Sequence, residues 1–454
     1  MARERLVVIG GDAAGMSAAS QARRRRPPDD LAITVFERSP HASYAACGIP
    51  YFVGQVVERA QSLIARTPEA FAKQSIELHT RHEAQEIDLE RRRVLIQPLD
   101  GGAPRWEPFD HLLIATGAVP IRPPVPGIEA SGIYGVSTLE SGIAVREAVD
   151  REGPRRAVIV GGGYIGLEMA EALVLRGLEV SLVEKEPQVM NTLDEDMAAL
   201  VAQALREAGV RLYLGEALTG FETTNGRLQA VVTEARTLPA DIVVLGLGVR
   251  PNTELARAAG IPLGVRDAIV VNRRMQTKVP GVWAAGDCAQ SFHLVRQEPT
   301  FIALGTVANK QGRVAGINLG GGYATFPGVV GTAISKICQV EVARTGLQER
   351  EARELGLEYV TARIEGSSRA AYYPGAGRIT VKLLAERGSG RLLGGQIVGT
   401  EGAGKRIDII ATALHAGLTA QEMVNLDLAY APPFSPVWDP VLIAVRQLLT
   451  ALGE

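Results

Sequence analysis

Short runs of β-branched and aliphatic residues punctuate the chain, and several run straight into glycine. Near the start "RLVVIGGDAAGMSAASQARRR" continues into "LAITVFER", and from Arg156 the same texture returns as "RAVIVGGGYIGLEMAEALVLRG" followed by "LEVSLVEK". Unbroken apolar runs suit strands covered on both faces, and the small and aliphatic residues after the glycines suit a helix. Each copy therefore predicts strand, glycine turn, helix and a second strand ending in an acid. This is the βαβ dinucleotide unit, and its near repetition predicts two nucleotides.

"DHLLIATGAVP" (110–120) and "DIVVLGLGVRPN" (241–252) each read as an apolar strand leaving such a unit, and Pro-rich 119–127 reads as a linker. "VPGVWAAGDCAQ" (279–290) adds a strand and a Gly-Asp turn, and beyond Phe326 alternating strands such as "RITVKLLAE" and "LLGGQIVG" precede two amphipathic helices. The predicted fold is α/β, with two Rossmann-like dinucleotide-binding domains and a C-terminal α+β domain. Its predicted segments are 1–150, 151–249, 250–325 and 326–454.

In the second copy Gly161, Gly163 and Gly166 complete G-x-G-x-x-G and Glu184 supplies the closing acid. Such glycines permit a tight turn, close approach of backbone N–H groups to a pyrophosphate, and tight helix packing, while the acid accepts from a ribose hydroxyl. The first copy keeps Gly10, Gly15 and the acid Glu37, but Asp12 stands where the middle glycine belongs. A carboxylate there repels a pyrophosphate unless its side chain turns away.

Composition narrows the class. The 454 residues carry 48 Lys+Arg against 50 Asp+Glu, a balance that offers no basic surface for nucleic acid or membrane lipid. Glycine is abundant at 50 residues, in keeping with many strand-to-helix turns. Three cysteines, Cys47, Cys288 and Cys338, imply no disulfide framework and suit a reducing, cytoplasmic setting. The apolar strand begins almost at once, which leaves no room for a signal peptide.

Cys47 stands out within "SYAACGIPYFVG" (43–54). A free cysteine is ordinarily a small buried hydrophobe. The Gly48-Ile49-Pro50 step after this one predicts a helix start, whose free N–H groups favour a reactive thiolate. Cys288 and Cys338 lie in apolar contexts and read as inert. The basic run 23–26 is either the solvated end of a helix or a grip on phosphates.

Over its whole length the chain resembles the flavin-dependent pyridine nucleotide-disulfide oxidoreductases. Ser43-Tyr44-Ala45-Ala46-Cys47-Gly48-Ile49-Pro50-Tyr51 resembles the redox motif of their single-cysteine branch, which contains coenzyme A-disulfide reductases, NADH oxidases, NADH peroxidases and persulfide reductases. Two-cysteine members carry a resolving cysteine where Pro50 or Phe52 stands here. The resemblance implies FAD at Gly10, Gly15, Glu37, Arg38, Thr116, Gly117 and Asp287. It implies NAD(P)H at Gly161, Gly163, Tyr164, Ile165, Gly166 and Glu184, no metal, and a homodimer formed by the C-terminal domain.

Peroxidases and water-forming oxidases of this branch hold a histidine in the first glycine turn, where this chain has Asp12-Ala13-Ala14. Ala19-Ser20-Gln21-Ala22-Arg23-Arg24 resembles the CoA-binding stretch of the CoA-disulfide reductases, which implies CoA contacts at Gln21, Arg24 and Ser43. Their asparagine before the cysteine is Ala46 here. "AAYYPGAG" and "LAYAPPFSP" resemble segments whose tyrosines reach the partner subunit's sulfur, implying such a role for Tyr372 or Tyr373 and for Tyr430.

The implied activity passes electrons from NAD(P)H, NADH being favoured by Glu184, through FAD to Cys47. Cys47 then reduces CoA disulfide through a mixed disulfide. An NADH oxidase, a CoA-persulfide or polysulfide reductase and a flavin-containing redox sensor are the alternatives.

Overall fold

The computed structural model describes residues 3–454. The first glycine unit builds a parallel sheet in the order Val282–Ala284, His111–Ile114, Glu4–Ile9, Leu31–Phe36, Glu77–His79. Segments far apart in sequence thus share one sheet, its inner strands apolar on both faces and covered there, while the edge strand Glu77–His79 is polar and partly exposed. The second unit builds another parallel sheet, Arg211–Leu214, Glu179–Glu184, Arg156–Val160, Ile242–Leu245, Ile133–Gly135. The two exits from the first domain meet as a two-stranded antiparallel hinge, Ala118–Pro120 against Val249–Pro251.

The third domain is an antiparallel sheet, Ala333–Ile337, Val340–Gly346, Leu392–Gly399, Arg378–Glu386, Tyr359–Ser367. The two predicted amphipathic helices, Ala403–Ala416 and Pro440–Leu452, pack on it. No helix among the described residues is long and apolar enough to cross a membrane.

Two changes of domain fall at other residues than the expected 151 and 326. Ile133–Gly135 pairs with Ile242–Leu245, so the second sheet takes in chain well before 151. A three-residue edge strand is too short to carry a legible pattern. At the other change Phe326 and Val329 still pack into the first domain's core, and the antiparallel sheet begins at Ala333.

The helices Ala13–Arg23 and Gly305–Leu319 lie almost backbone to backbone. A Cβ on Gly312 would stand 2.3 Å from the Ala14 carbonyl oxygen, and one on Gly316 2.3 Å from that of Ala18. This close crossing brings Arg313 beside residues near the N-terminus.

Candidate active site

The two glycine turns fold alike. Gly10 and Gly161 take φ values of 106° and 108°. A Cβ on either would also collide with backbone, 2.1 Å from Ala115 O and 2.4 Å from Gly246 O. Gly15 and Gly166 bring each helix onto its turn, with 1.9 Å and 2.0 Å between a built Cβ and the carbonyl oxygens of Gly10 and Gly161. Glu37 accepts the N–H groups of Gly11 at 2.7 Å and Ser39 at 2.8 Å. Glu184 accepts those of Gly162 at 2.6 Å and Glu186 at 2.9 Å. Each carboxylate braces its turn and keeps lone pairs for ribose hydroxyls.

Gly163 and Asp12 occupy the same place, the N-cap of the helices Tyr164–Leu175 and Ala13–Arg23. A Cβ on Gly163 meets nothing within 4 Å, so the space over that turn is an open cradle for a pyrophosphate. Asp12 turns aside: its Oδ1 accepts the Tyr44 N–H at 3.2 Å, in the loop that carries Cys47. Its carboxyl is raised to about 6 by burial, with the charges of Glu37 and Asp287 adding to the shift against hydrogen bonds from the Tyr44 and Ala13 backbone.

The Asp287 Oδ1 is buried without a hydrogen-bond partner, and burial raises this carboxyl to about 6 as well. A buried acceptor without a donor, facing a dinucleotide turn, fits the hydroxyl-rich chain of a flavin nucleotide. Other expected cofactor residues sit differently. The Thr116 hydroxyl donates to Asn252 O at 2.6 Å and Gly117 O accepts the Asn252 N–H at 2.9 Å, so both fasten the hinge. Arg38 is exposed and pairs with Glu83 at 3.7 Å. Tyr164 and Ile165 open the second helix, the Tyr164 hydroxyl buried without a partner.

Cys47 lies in a single 3-10 turn, Ala46–Gly48, leading into the short helix Ile49–Val53, at the predicted helix start. Its loop is held by the Ser43 N–H donating to Gly11 O at 2.9 Å and the Ala45 N–H donating to Leu63 O at 2.8 Å. Cys47 reaches solvent, yet its thiol is pushed up rather than down. Burial by the surrounding protein is the main cause, and the charges of Glu168, Asp287 and Asp12 add to it. The expected lowering fails because a five-residue helix offers little dipole against burial and three carboxylates.

Glu168 was not singled out from sequence. It comes from the helix Tyr164–Leu175, accepts the Ser335 hydroxyl at 2.6 Å and is itself pushed up by burial. One carboxyl thus ties together the nucleotide helix, the third domain and the thiol's surroundings. Cys288 is fully buried, and burial raises Cys338 to about 11, consistent with inert thiols.

Beside the Cys47 loop opens a cleft of about 380 Å³. Gln21, Arg24 and Ser43, the three expected CoA contacts, all line it. So do Arg66, Asn309 and Arg313, with Asp12 in one wall. Arg24, Arg66 and Arg313 have no ion-pair partner among the described residues. The basic run divides its labour: Arg23 donates to the carbonyl oxygens of Leu31 at 2.8 Å and Ser75 at 3.0 Å, Arg26 pairs with Glu4, and Arg24 is left for the cleft.

Tyr372, Tyr373 and Tyr430 stand on the exposed face of the third domain, Tyr372 77% exposed, with Phe434, Val437 and Trp438 beside Tyr430 in sequence also exposed. The Tyr430 hydroxyl beside it raises the Tyr372 hydroxyl above its ordinary pKa. So much exposed aromatic surface is characteristic of an interface.

Two dinucleotide turns, a buried unpartnered carboxyl and a thiol beside a basic cleft define an oxidoreductase that moves electrons between a nicotinamide and sulfur. The chain belongs to the pyridine nucleotide-disulphide oxidoreductases: residues 4–312 match that family and 332–440 match its dimerisation domain. It is 39% identical over 448 residues, 98% of both chains, to the NAD(P)H coenzyme A polysulfide/persulfide reductase of Pyrococcus horikoshii. The NAD-dependent persulfide reductase from A. fulgidus is 41% identical with a TM-score of 0.94, over 97% of this chain and 82% of that one. The reduced CoADR-RHD of Bacillus anthracis is 34% identical with a TM-score of 0.96, over 100% of this chain and 81% of that one. The family supports FAD and NAD(P)H as the two dinucleotides and sulfur compounds as the substrates.

Proposed function

We propose that the protein reduces the sulfur–sulfur bond of a coenzyme A disulfide, with Cys47 as the nucleophile. The observation that carries this reading is the cleft, where three arginines without ion-pair partners line a wall that also holds Gln21 and Ser43 and opens beside the Cys47 loop. Guanidinium groups bind phosphate as a rigid fork, and CoA is a thiol carried on several phosphates.

Gly10, Gly15, Glu37 and Asp287 hold FAD, and Gly161, Gly163, Gly166 and Glu184 hold NAD(P)H. FAD held there would supply, with NAD(P)H as its source, the electron pair that a disulfide at Cys47 needs. Cys47 thiolate attacks one sulfur of the substrate, forms a mixed disulfide and displaces the other half as a thiolate. Pro50 and Phe52 leave no second thiol to resolve that bond. A homodimer brings Tyr372 or Tyr373, and Tyr430, from the partner subunit to donate hydrogen bonds to the departing sulfur. Buried Glu184 disfavours a 2′-phosphate, which makes NADH the preferred donor.

The names of the relatives at 39% and 41% identity favour a second reading, in which the substrate is CoA persulfide. Both readings use the same cleft and the same thiol. Anaerobic NADH oxidation with CoA disulfide, CoA persulfide and pantethine, the phosphate-free disulfide, separates them. The account expects CoA substrates to be used far better than pantethine, and Cys47→Ser to abolish turnover with each. Full disulfide reductase activity in Cys47→Ser would overturn it.

A further inference from the structure

The displaced thiolate needs a proton, and a carboxylic acid is a far stronger source of one than a tyrosine hydroxyl, whose ordinary pKa is near 10. Building on the proposed function, we infer that Asp12 is the proton donor to the thiolate displaced when Cys47 attacks the substrate. Asp12 lines the cleft, caps the helix that carries Gln21 and Arg24, and holds by Oδ1 the loop that carries Cys47. The residue that breaks the glycine pattern thus shares a cleft with the three arginines and bonds to the loop that carries the nucleophile.

The balance is simple. Cys47–S⁻ and R–S–S–R give Cys47–S–S–R and R–S⁻, and the Asp12 carboxylic acid transfers its proton to give R–SH and a carboxylate. No external oxidant or reductant enters this step.

The groups that face Asp12 set when it can act. Glu37 from the end of Leu31–Phe36 and Asp287 from the turn after Val282–Ala284 disfavour its ionised form. Cys47 and Tyr44 face it from the loop, while Arg24, Arg66 and, from Gly305–Leu319, Arg313 line the same cleft and favour ionisation. Burial keeps the acid near 6, well below the raised thiol. Between those two values the thiolate fraction rises with pH as fast as the acid fraction falls. The reactive pair, thiolate with carboxylic acid, therefore keeps a constant population across that window.

The test compares kcat/KM from pH 6 upward for CoA disulfide and for a mixed disulfide of CoA with a nitro-substituted aryl thiol, whose departing thiolate needs no proton. Wild-type enzyme should show a flat profile on CoA disulfide and a rising one on the aryl substrate. Asp12→Asn keeps an acceptor for the Tyr44 N–H but has no acid, and Asp12→Gly reproduces the turn of Gly163. Both should lose about 100-fold more on CoA disulfide, the low end for a general acid, than on the aryl substrate, which registers only the changed surroundings of the Cys47 loop. Their CoA disulfide profiles should rise with pH. Equal loss on both substrates, or no loss on CoA disulfide, would overturn the assignment. A wild-type enzyme inert toward both disulfides would overturn the proposed function and this role with it.

Discussion

Replacing Arg24 by alanine removes one of three guanidinium groups from the cleft without breaking an ion pair or a side-chain hydrogen bond within the described chain. The fold should therefore be unaffected, and the whole effect should fall on substrates that carry phosphate. A hydrogen bond to a charged group contributes about 1.5–3 kcal/mol, and the cleft's access to solvent argues for the lower part of that range. Taking about 1.5–2 kcal/mol, with each 1.4 kcal/mol worth tenfold, the KM for CoA disulfide should rise roughly 10- to 30-fold. The kcat should change less than KM, because Arg24 grips the phosphates rather than the reacting sulfurs. Anaerobic NADH oxidation supplies the assay, with pantethine as the control that shares the sulfur arm and lacks the phosphates. Raising the salt from low ionic strength to 0.1 M, where the Debye length is about 10 Å, should shrink the gap between wild type and variant. An equal loss on CoA disulfide and pantethine, or no loss on either, would refute the assignment of the cleft to phosphates.

The two nicotinamide-turn glycines should separate cleanly. Gly163→Ala places a methyl group in open space at an ordinary φ, so it should leave stability and flavin content intact and raise the KM for NADH at least about tenfold by filling the pyrophosphate cradle. Gly161→Ala forces φ 108° on alanine and a contact with Gly246 O, and should lower the thermal midpoint or the soluble yield instead. Lys382, with a side chain only 7% exposed, is ringed by Asp194 at 3.1 Å, Asp196 at 2.7 Å and Glu349 at 2.6 Å, across the junction of the second and third domains. Lys382→Met leaves those carboxylates without their shared cation and should cost about 3–5 kcal/mol, read as a lower melting temperature in calorimetry. Isosteric loss of the charge with an unchanged midpoint would show the cluster to be a surface ornament.

The strand, glycine turn and helix of each nucleotide unit were legible because local backbone demands fix them: positive φ at Gly10 and Gly161, and helix-to-turn contact at Gly15 and Gly166. The Cys47 loop was legible for the same reason, as was its missing resolving thiol. Arg66 and Arg313 were not assigned to the cleft, because they reach it from segments remote in sequence, Arg313 by way of the close helix crossing at Gly312 and Gly316. Glu168 escaped notice likewise, since only tertiary packing sets it against Ser335 and near the thiol. The thiol's raised pKa ran against a local rule, helix start favouring thiolate, because the surrounding protein buries it and charges from three other segments add to the shift. The Asp12 departure from glycine, puzzling in one dimension, is resolved by its bond to the Tyr44 N–H.

The central claim is that Cys47 carries the substrate's sulfur. Mass spectrometry of the protein mixed with CoA disulfide in the absence of NADH tests it most directly. The account predicts one CoA joined by a disulfide to Cys47 of each chain, removed when NADH is added and absent from Cys47→Ser. An unmodified Cys47, or an adduct found on Cys338 instead, would contradict it.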